Sequence, residues 1–341
     1  MCHWFFIFAV FAFLIGCSVG SFLNVVIYRL PRAGYSIVKP TRSFCPACLV
    51  TIRWYDNIPL LSWFFLGGRC RFCGSVISPR YPIVELLTGL LFFASALQFV
   101  VRVPQPDYAV WAAISAFSAL MMAISFIDID FRIIPDVLSG PGLLAAIAVS
   151  ALVPTLHALE MNHAERFLAG YGNLFRFILD LAEPFRASAL AVMLSLAGLT
   201  VGYCLIFVIR FVSSVIARRE AMGMGDAKIM ALVGAFTGWR GAILAIFIGA
   251  LLGALIAPAL RIALRSRDPK IAFGPFLAAG GVAVALFRKE LVGFVMITYP
   301  ELVSKNPDLF MFGMFGICIL LLAYLVIMRK VGKGGNSDET N

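Results

Sequence analysis

The amino-acid sequence predicts an all-α polytopic membrane protein of about nine transmembrane helices, carrying a small zinc-ribbon-like domain on its cytoplasmic side. Three observations predict it. Of 341 residues, 61% are hydrophobic and only 13% are charged, and the mean hydropathy is +0.95, a balance foreign to soluble globular domains. The apolar residues fall in continuous runs close to the ~20 residues that a helix needs to cross hydrocarbon. They lie near 4–28, 83–101, 109–127, 137–153, 187–209, 228–238, 242–260, 272–287 and 308–328, the sixth being short. A membrane β-strand would alternate lipid-facing and lumen-facing residues, and these runs do not. The third observation is a polar insert between the first two runs that holds four closely spaced cysteines.

The first element, 1–28, contains Leu14-Ile15-Gly16-Cys17, which superficially resembles a lipoprotein processing site. No Lys or Arg precedes it, and the apolar run continues to about Tyr28, so it reads as a retained span ending at Arg29. The insert 29–82 is the only stretch long enough for a small independent domain. Residues 83–287 form the transmembrane core, and 288–341 add an outward linker, a last span and a polar tail rich in Gly, Asn, Ser and acids. If the N-terminus faces outward, the segments 29–82, 128–136, 210–228, 261–270 and 329–341 are cytoplasmic and hold 20 of the 28 basic residues, as the positive-inside rule requires. The net charge of +10 is therefore topological. The basic residues are scattered over separate loops without interleaved aromatics, which excludes a nucleic-acid partner. The outward loop 154–187 reads as a solvated connection with an amphipathic helix around 164–182.

Eight cysteines divide into two kinds. Cys2, Cys17, Cys204 and Cys318 stand alone in apolar runs as small hydrophobes. Cys45-Pro46-Ala47-Cys48 and Cys70-Arg71-Phe72-Cys73 are paired C-x2-C turns, each aiming two thiolates at one point. Disulfides are rarely kept on the cytoplasmic side, and a redox dithiol needs one pair rather than two. The reading is a structural metal site, Zn2+ with iron as the other possibility, closed by four thiolates and so unable to activate water.

Charges beside spans are costly and need explanation. Asp128 follows the third span, and Asp226 opens the sixth in Gly223-Met224-Gly225-Asp226-Ala227-Lys228. Two crossings separate them, so both face the cytoplasm. Two carboxylates sharing one proton can hydrolyse a peptide bond without a metal, one activating water and the other protonating the carbonyl oxygen. The glycines before Asp226 would let backbone approach the pair. Asp136, after Pro135, reads as a helix N-cap. Asp130 and Arg132 read as interfacial residues, and Lys228 as a surface partner of Asp226. His3, His157 and His163 all fall on the outward side, which removes a cytoplasmic Ser–His or Cys–His pair, and no H-E-x-x-H is present.

Gly20-Ser21-Phe22-Leu23-Asn24-Val25-Val26, the paired C-x2-C motifs, Arg80-Tyr81-Pro82-Ile83-Val84-Glu85, the Ile127-Asp128 to Pro135-Asp136 segment, Gly223-Met224-Gly225-Asp226 and Phe273-Gly274-Pro275-Phe276 occur in that order. Together they resemble the bacterial prepilin peptidases, a family of G-x-G-D aspartyl proteases. The resemblance implies that Asp128 and Asp226 are the catalytic pair, with Asp130 and Asp136 as neighbours. It implies cleavage after a glycine in the basic leaders of type IV prepilins and type II secretion pseudopilins, in the bacterial inner membrane. Members with four cysteines also N-methylate the new terminal residue using S-adenosylmethionine. Glu85 is a candidate for orienting a substrate amine, or for pairing with Arg80. Gly274 and Pro275 open the eighth span and are candidates to border the active site. An ion-coupled secondary transporter, with Asp128 and Asp226 as proton relays near the bilayer midplane, is the alternative. A non-catalytic assembly scaffold would leave the aspartates unexplained. Oligomeric state and the site of the methyl donor are not legible.

Overall fold

A computed structural model describes residues 2–32, 34–158, 160–161, 164–165, 168, 178, 180–217, 223–264 and 272–294. Among them there is no strand, only two isolated bridges, Phe44 with Thr51 and Arg69 with Val76. The helices are α1 (Cys2–Arg29), α2 (Leu61–Phe65), α3 (Arg80–Ala96, continued by a π turn to Val101), α4 (Tyr108–Phe131), α5 (Asp136–Leu152), α6 (Phe185–Ala217), α7 (Met224–Leu264) and α8 (Gly274–Gly293). The chain divides into two compact units, Met1–Arg288 and Lys289–Asn341. Every site described below belongs to the first.

Five described helices are long and apolar enough to cross a membrane: Trp4–Arg29, Arg80–Val101, Tyr108–Phe131, Phe185–Val215 and Met224–Ala257. The expected count of nine is not reached among the described residues. The runs 228–238 and 242–260 merge into α7, which is broken inside by the non-helical backbone of Gly238 (φ 73°, ψ 177°). The 17 residues of α5 rise only about 26 Å, less than the ~30 Å of hydrocarbon. In α8 the charges Arg288, Lys289 and Glu290 cut the apolar run short. The run 308–328 and most of the helix expected around 164–182 lie outside the described residues.

Packing between these helices rests on small residues, as expected where lipid is as apolar as a side chain and close backbone contact must supply the attraction. On α1, a Cβ at Gly16 would lie 2.8 Å from Gly89 Cα of α3, and one at Gly20 would lie 2.7 Å from Glu85 Cα. Leu23 and Ile27 of α1, Val84 and Phe92 of α3, and Ala119, Ala123 and Ile127 of α4 close a buried three-helix core. The α6–α7 crossing uses the same device, with Gly198 facing Gly234 and Gly202 facing the Met230 carbonyl. Phe117 of α4 meets Phe236 of α7 at 4.6 Å between ring centroids, joining the two groups of helices.

Helix ends place the site. α4 begins where the Asp107 carboxylate accepts the Val110 N–H at 2.9 Å, a local cap. It ends at Arg132, whose left-handed backbone (φ 56°) returns its N–H to the Asp128 carbonyl. α5 starts four residues later, and here the expected cap is corrected. Pro135 occupies the N-cap without a side-chain bond, and Asp136 is the first helical residue, where its charge meets the positive end of the helix dipole.

Candidate active site and four-cysteine module

Asp128 sits in the last turn of α4 and Asp226 in the first turn of α7. Their residues are 7% and 8% exposed. The first residue of α8 brings the two helix ends together, because a Cβ at Gly274 would run into Asp128 Oδ2 and come within 3.0 Å of Ile229, three residues on from Asp226. Any larger residue there would displace the carboxylate. Gly225 is required by packing too, since its Cβ would lie 2.5 Å from Ile134 in the turn between α4 and α5. Gly223 meets nothing closer than 3.9 Å and is not so constrained. Pro275 follows as the second residue of α8, where a missing N–H costs no helical bond.

The remaining acids at this end are exposed and carry cations. Asp130 pairs with Arg80, and Asp136 pairs with Lys228. Two expectations change as a result. Lys228 belongs to Asp136 rather than Asp226, and Arg80 belongs to Asp130 rather than Glu85. Glu85 stands apart from the aspartates, half-buried in α3, with Oε2 accepting the Leu60 N–H at 2.7 Å. The Arg80–Asp130 pair also ties the first residue of α3, directly after the cysteine module, to a residue two positions from Asp128.

The module itself is two copies of one turn. Cys45 N–H donates to Val50 and Cys70 N–H to Ser75, while Leu49 and Gly74 return their N–H groups to the first cysteine of each pair. Both returning residues are left-handed, Leu49 at φ 59° and Gly74 at φ 69°. These turns bring the four Sγ atoms of Cys45, Cys48, Cys70 and Cys73 within 4.8 Å of one another, with Cys45 and Cys73 at 3.9 Å. Tetrahedral zinc with bonds near 2.3 Å would set sulfurs ~3.8 Å apart, so the donor set fits such an ion. The thiols are unequal. Burial would raise Cys45, but N–H groups of Cys48 and Ala47 and the hydroxyl of Ser75 outweigh it and bring it down to about 6. Cys48 is pushed up to about 11: the Val50 N–H lowers it, but burial and the neighbouring thiols prevail. Arg71, between the second pair, grips Asp56 through Nε and a terminal nitrogen at 2.8 and 2.6 Å, holding that carboxyl below its usual range.

Two residues that sequence reasoning left without a role prove structural. Arg29, 3% exposed, donates to the carbonyls of Ser36, Ile37, Pro40 and Arg42 and so fixes the entry to the module. Asn24 donates to the Tyr81 carbonyl at 3.0 Å. Both polar side chains fall inside or at the end of an apolar run, which was the available signal.

Membrane-length helices, two buried aspartates in helix-end turns, and a four-thiol module define a multi-pass membrane protein with a candidate metal centre. Residues 14–99 match the bacterial peptidase A24 N-terminal domain, and residues 115–258 match the type IV leader peptidase family. The chain is 33% identical over 305 residues to a prepilin leader peptidase/N-methyltransferase of Dickeya chrysanthemi, covering 82% of this chain and 93% of that protein. It is 38% identical over 264 residues to a protein of the same name from Myxococcus xanthus (strain DK1622), covering 77% of this chain and 66% of that protein. A type 4 prepilin-like proteins leader peptide-processing enzyme of Escherichia coli O78:H11 is 32% identical, covering 79% and 90%. The chain belongs to the prepilin leader peptidase family. No solved structure matches it.

Proposed function

We propose that this protein cleaves the leader of type IV prepilins and type II secretion pseudopilins after a glycine, and N-methylates the residue it exposes. Asp128 and Asp226 are the catalytic pair, at the cytoplasmic face of the bacterial inner membrane. The observation that carries this reading is the burial of two carboxylates in the end turns of α4 and α7, where Asp128 and Ile229, three residues on from Asp226, both lie against the backbone of Gly274. Like charges so placed disfavour double ionisation, so one proton is shared. The ionised carboxylate takes a proton from water as its oxygen attacks the scissile carbonyl carbon, and the other protonates the carbonyl oxygen. Collapse of the tetrahedral gem-diol breaks the C–N bond as one of its hydroxyl protons returns to the carboxylate that had protonated the carbonyl oxygen. The carboxyl that took the water proton then passes it to the leaving nitrogen.

Cys45, Cys48, Cys70 and Cys73 would hold a structural Zn2+, which shapes residues 29–82 and takes no part in proteolysis. Residues 83–287 form the proteolytic core. S-adenosylmethionine, when bound, supplies an electrophilic methyl group to the new terminal nitrogen, whose released proton goes to water. The secondary-transporter alternative draws no support from the family match, and both aspartates lie in the end turns of their helices rather than at mid-span. The test is to incubate detergent-solubilised protein with a prepilin bearing a basic leader and read the product N-terminus by mass spectrometry. A shortened, methylated product is expected, and an intact prepilin would overturn the proposal.

A further inference from the structure

A cavity of about 410 Å³ lies between the end of α1, the start of α3 and the cysteine module. Its volume lies within the range of small-molecule sites. Asn24, Tyr28, Phe44, Trp63, Tyr81 and Glu85 are among its walls. Asn24 is 3% exposed, and although its nitrogen is bonded to Tyr81, its Oδ1 is buried without a hydrogen-bond partner. A buried acceptor left unmet is costly, so this oxygen calls for a donor from a ligand. Glu85 is held by the Leu60 N–H and, among the described residues, has no paired cation. The other charges in the wall are already engaged, Arg29 by four carbonyls and Asp56 by Arg71. Half-buried, the Glu85 carboxylate favours a cationic guest, and four aromatic rings suit a purine face or a sulfonium.

We propose that this cavity is the methyl-donor site, with Asn24 Oδ1 accepting from the adenine amino group and Glu85 facing the cationic end of S-adenosylmethionine. The assignment rests on the methyltransferase reading above. It makes the module a roof, since Phe44 and Trp63 belong to it. It also sets the donor at the aspartate end of the bundle, because Arg80, next to Tyr81, pairs with Asp130.

The experiment measures binding of S-adenosylmethionine and S-adenosylhomocysteine to the full-length protein by equilibrium dialysis, beside its metal content. Ultraviolet cross-linking of the radiolabelled donor, followed by peptide mapping, locates the site in the unmodified protein. Asn24→Leu and Glu85→Gln are each expected to weaken S-adenosylmethionine binding about tenfold or more with the metal retained, and the label is expected within 21–29 or 54–85. Undiminished binding by both variants, or a label confined to 128–136 or 223–230, overturns the cavity while the methyltransferase reading stands. Wild-type protein that cleaves but neither binds nor methylates overturns that reading, and the cavity with it.

Discussion

Asp128 and Asp226 differ from the acids around them in what they lack: both are withdrawn from water, and among the described residues neither is paired with a cation. Asp130 and Asp136 keep solvent and partners. Replacing either buried acid with Asn removes half of a shared-proton system, so Asp128→Asn and Asp226→Asn are each expected to slow leader cleavage by about 100-fold or more. Asp130→Asn and Asp136→Asn break exposed pairs worth ~0–1 kcal/mol and are expected to change it only a few-fold. Mass spectrometry of the product over time checks all four, and wild-type rates from either of the first two would remove the catalytic assignment. At the module, metal binding competes with protons for thiolates. With Cys45 down at about 6 and Cys48 up at about 11, protons leave as the ion binds, so affinity rises with pH. Metal content after dialysis is expected to hold at neutral pH and to fall on acidification.

Among the elements, α7 carries the most consequence, because it delivers Asp226 and is seated on α6 by glycine against glycine. A Cβ at Gly234 would strike the carbonyl of Gly198, and neither backbone can yield without moving a helix. Gly234→Leu is therefore expected to lower thermal stability in detergent by about 1–3 kcal/mol and to reduce cleavage with it. Leu255 on the same helix is 65% exposed. Lipid replaces its contacts, so Leu255→Ala is expected to leave both nearly unchanged. The cysteine module occupies its own stretch of the chain, between α1 and α3. Cys70→Ser with Cys73→Ser removes two of four thiolates and is expected to release the ion and disorder the module. The helices keep their own backbone bonds and packing. Cleavage is expected to persist, reduced if the module docks the leader, while methylation is lost because the cavity loses its roof. A fully methylated product from metal-free protein would separate the module from methyl transfer, and complete loss of cleavage would couple the two sites.

For the whole molecule, Phe117 of α4 and Phe236 of α7 join the two groups of helices, and Asp128 and Asp226 lie on those same two helices. Each half therefore supplies one carboxylate, and neither is expected to cleave alone. The distribution of basic residues predicts that the 29–82 insert lies in the cytosol and 154–187 outside. Labelling of introduced cysteines by a membrane-impermeant reagent in intact cells is expected to reach the second and not the first. Labelling of 154–187 from the same side as Cys45 would overturn the parity argument and the pairing of aspartates that depends on it.

The sequence by itself determined the solvent class, the helical character, the four-thiol ligand set and the two aspartates worth pairing. These follow from composition, run length and short fixed spacings, such as C-x2-C, whose chemistry is local. Only the tertiary structure decided which carboxylates lost their cations. Lys228 is near Asp226 in the chain yet reaches Asp136, and Arg80 reaches Asp130 rather than Glu85, because partners are chosen by distance in space. The count of nine spans is not reached among the described residues, but at Gly238 a single positive-φ residue does break α7 between the two runs that hydropathy separates. Gly225 and Gly223 look alike in the motif, but only Gly225 lies against Ile134, and only the packing of distant segments makes that difference. In the sequence Asn24 is one letter of the Gly20–Val26 motif. Its unmatched oxygen became visible only when the module had closed over it, since a buried polar atom is defined by what the fold brings near it.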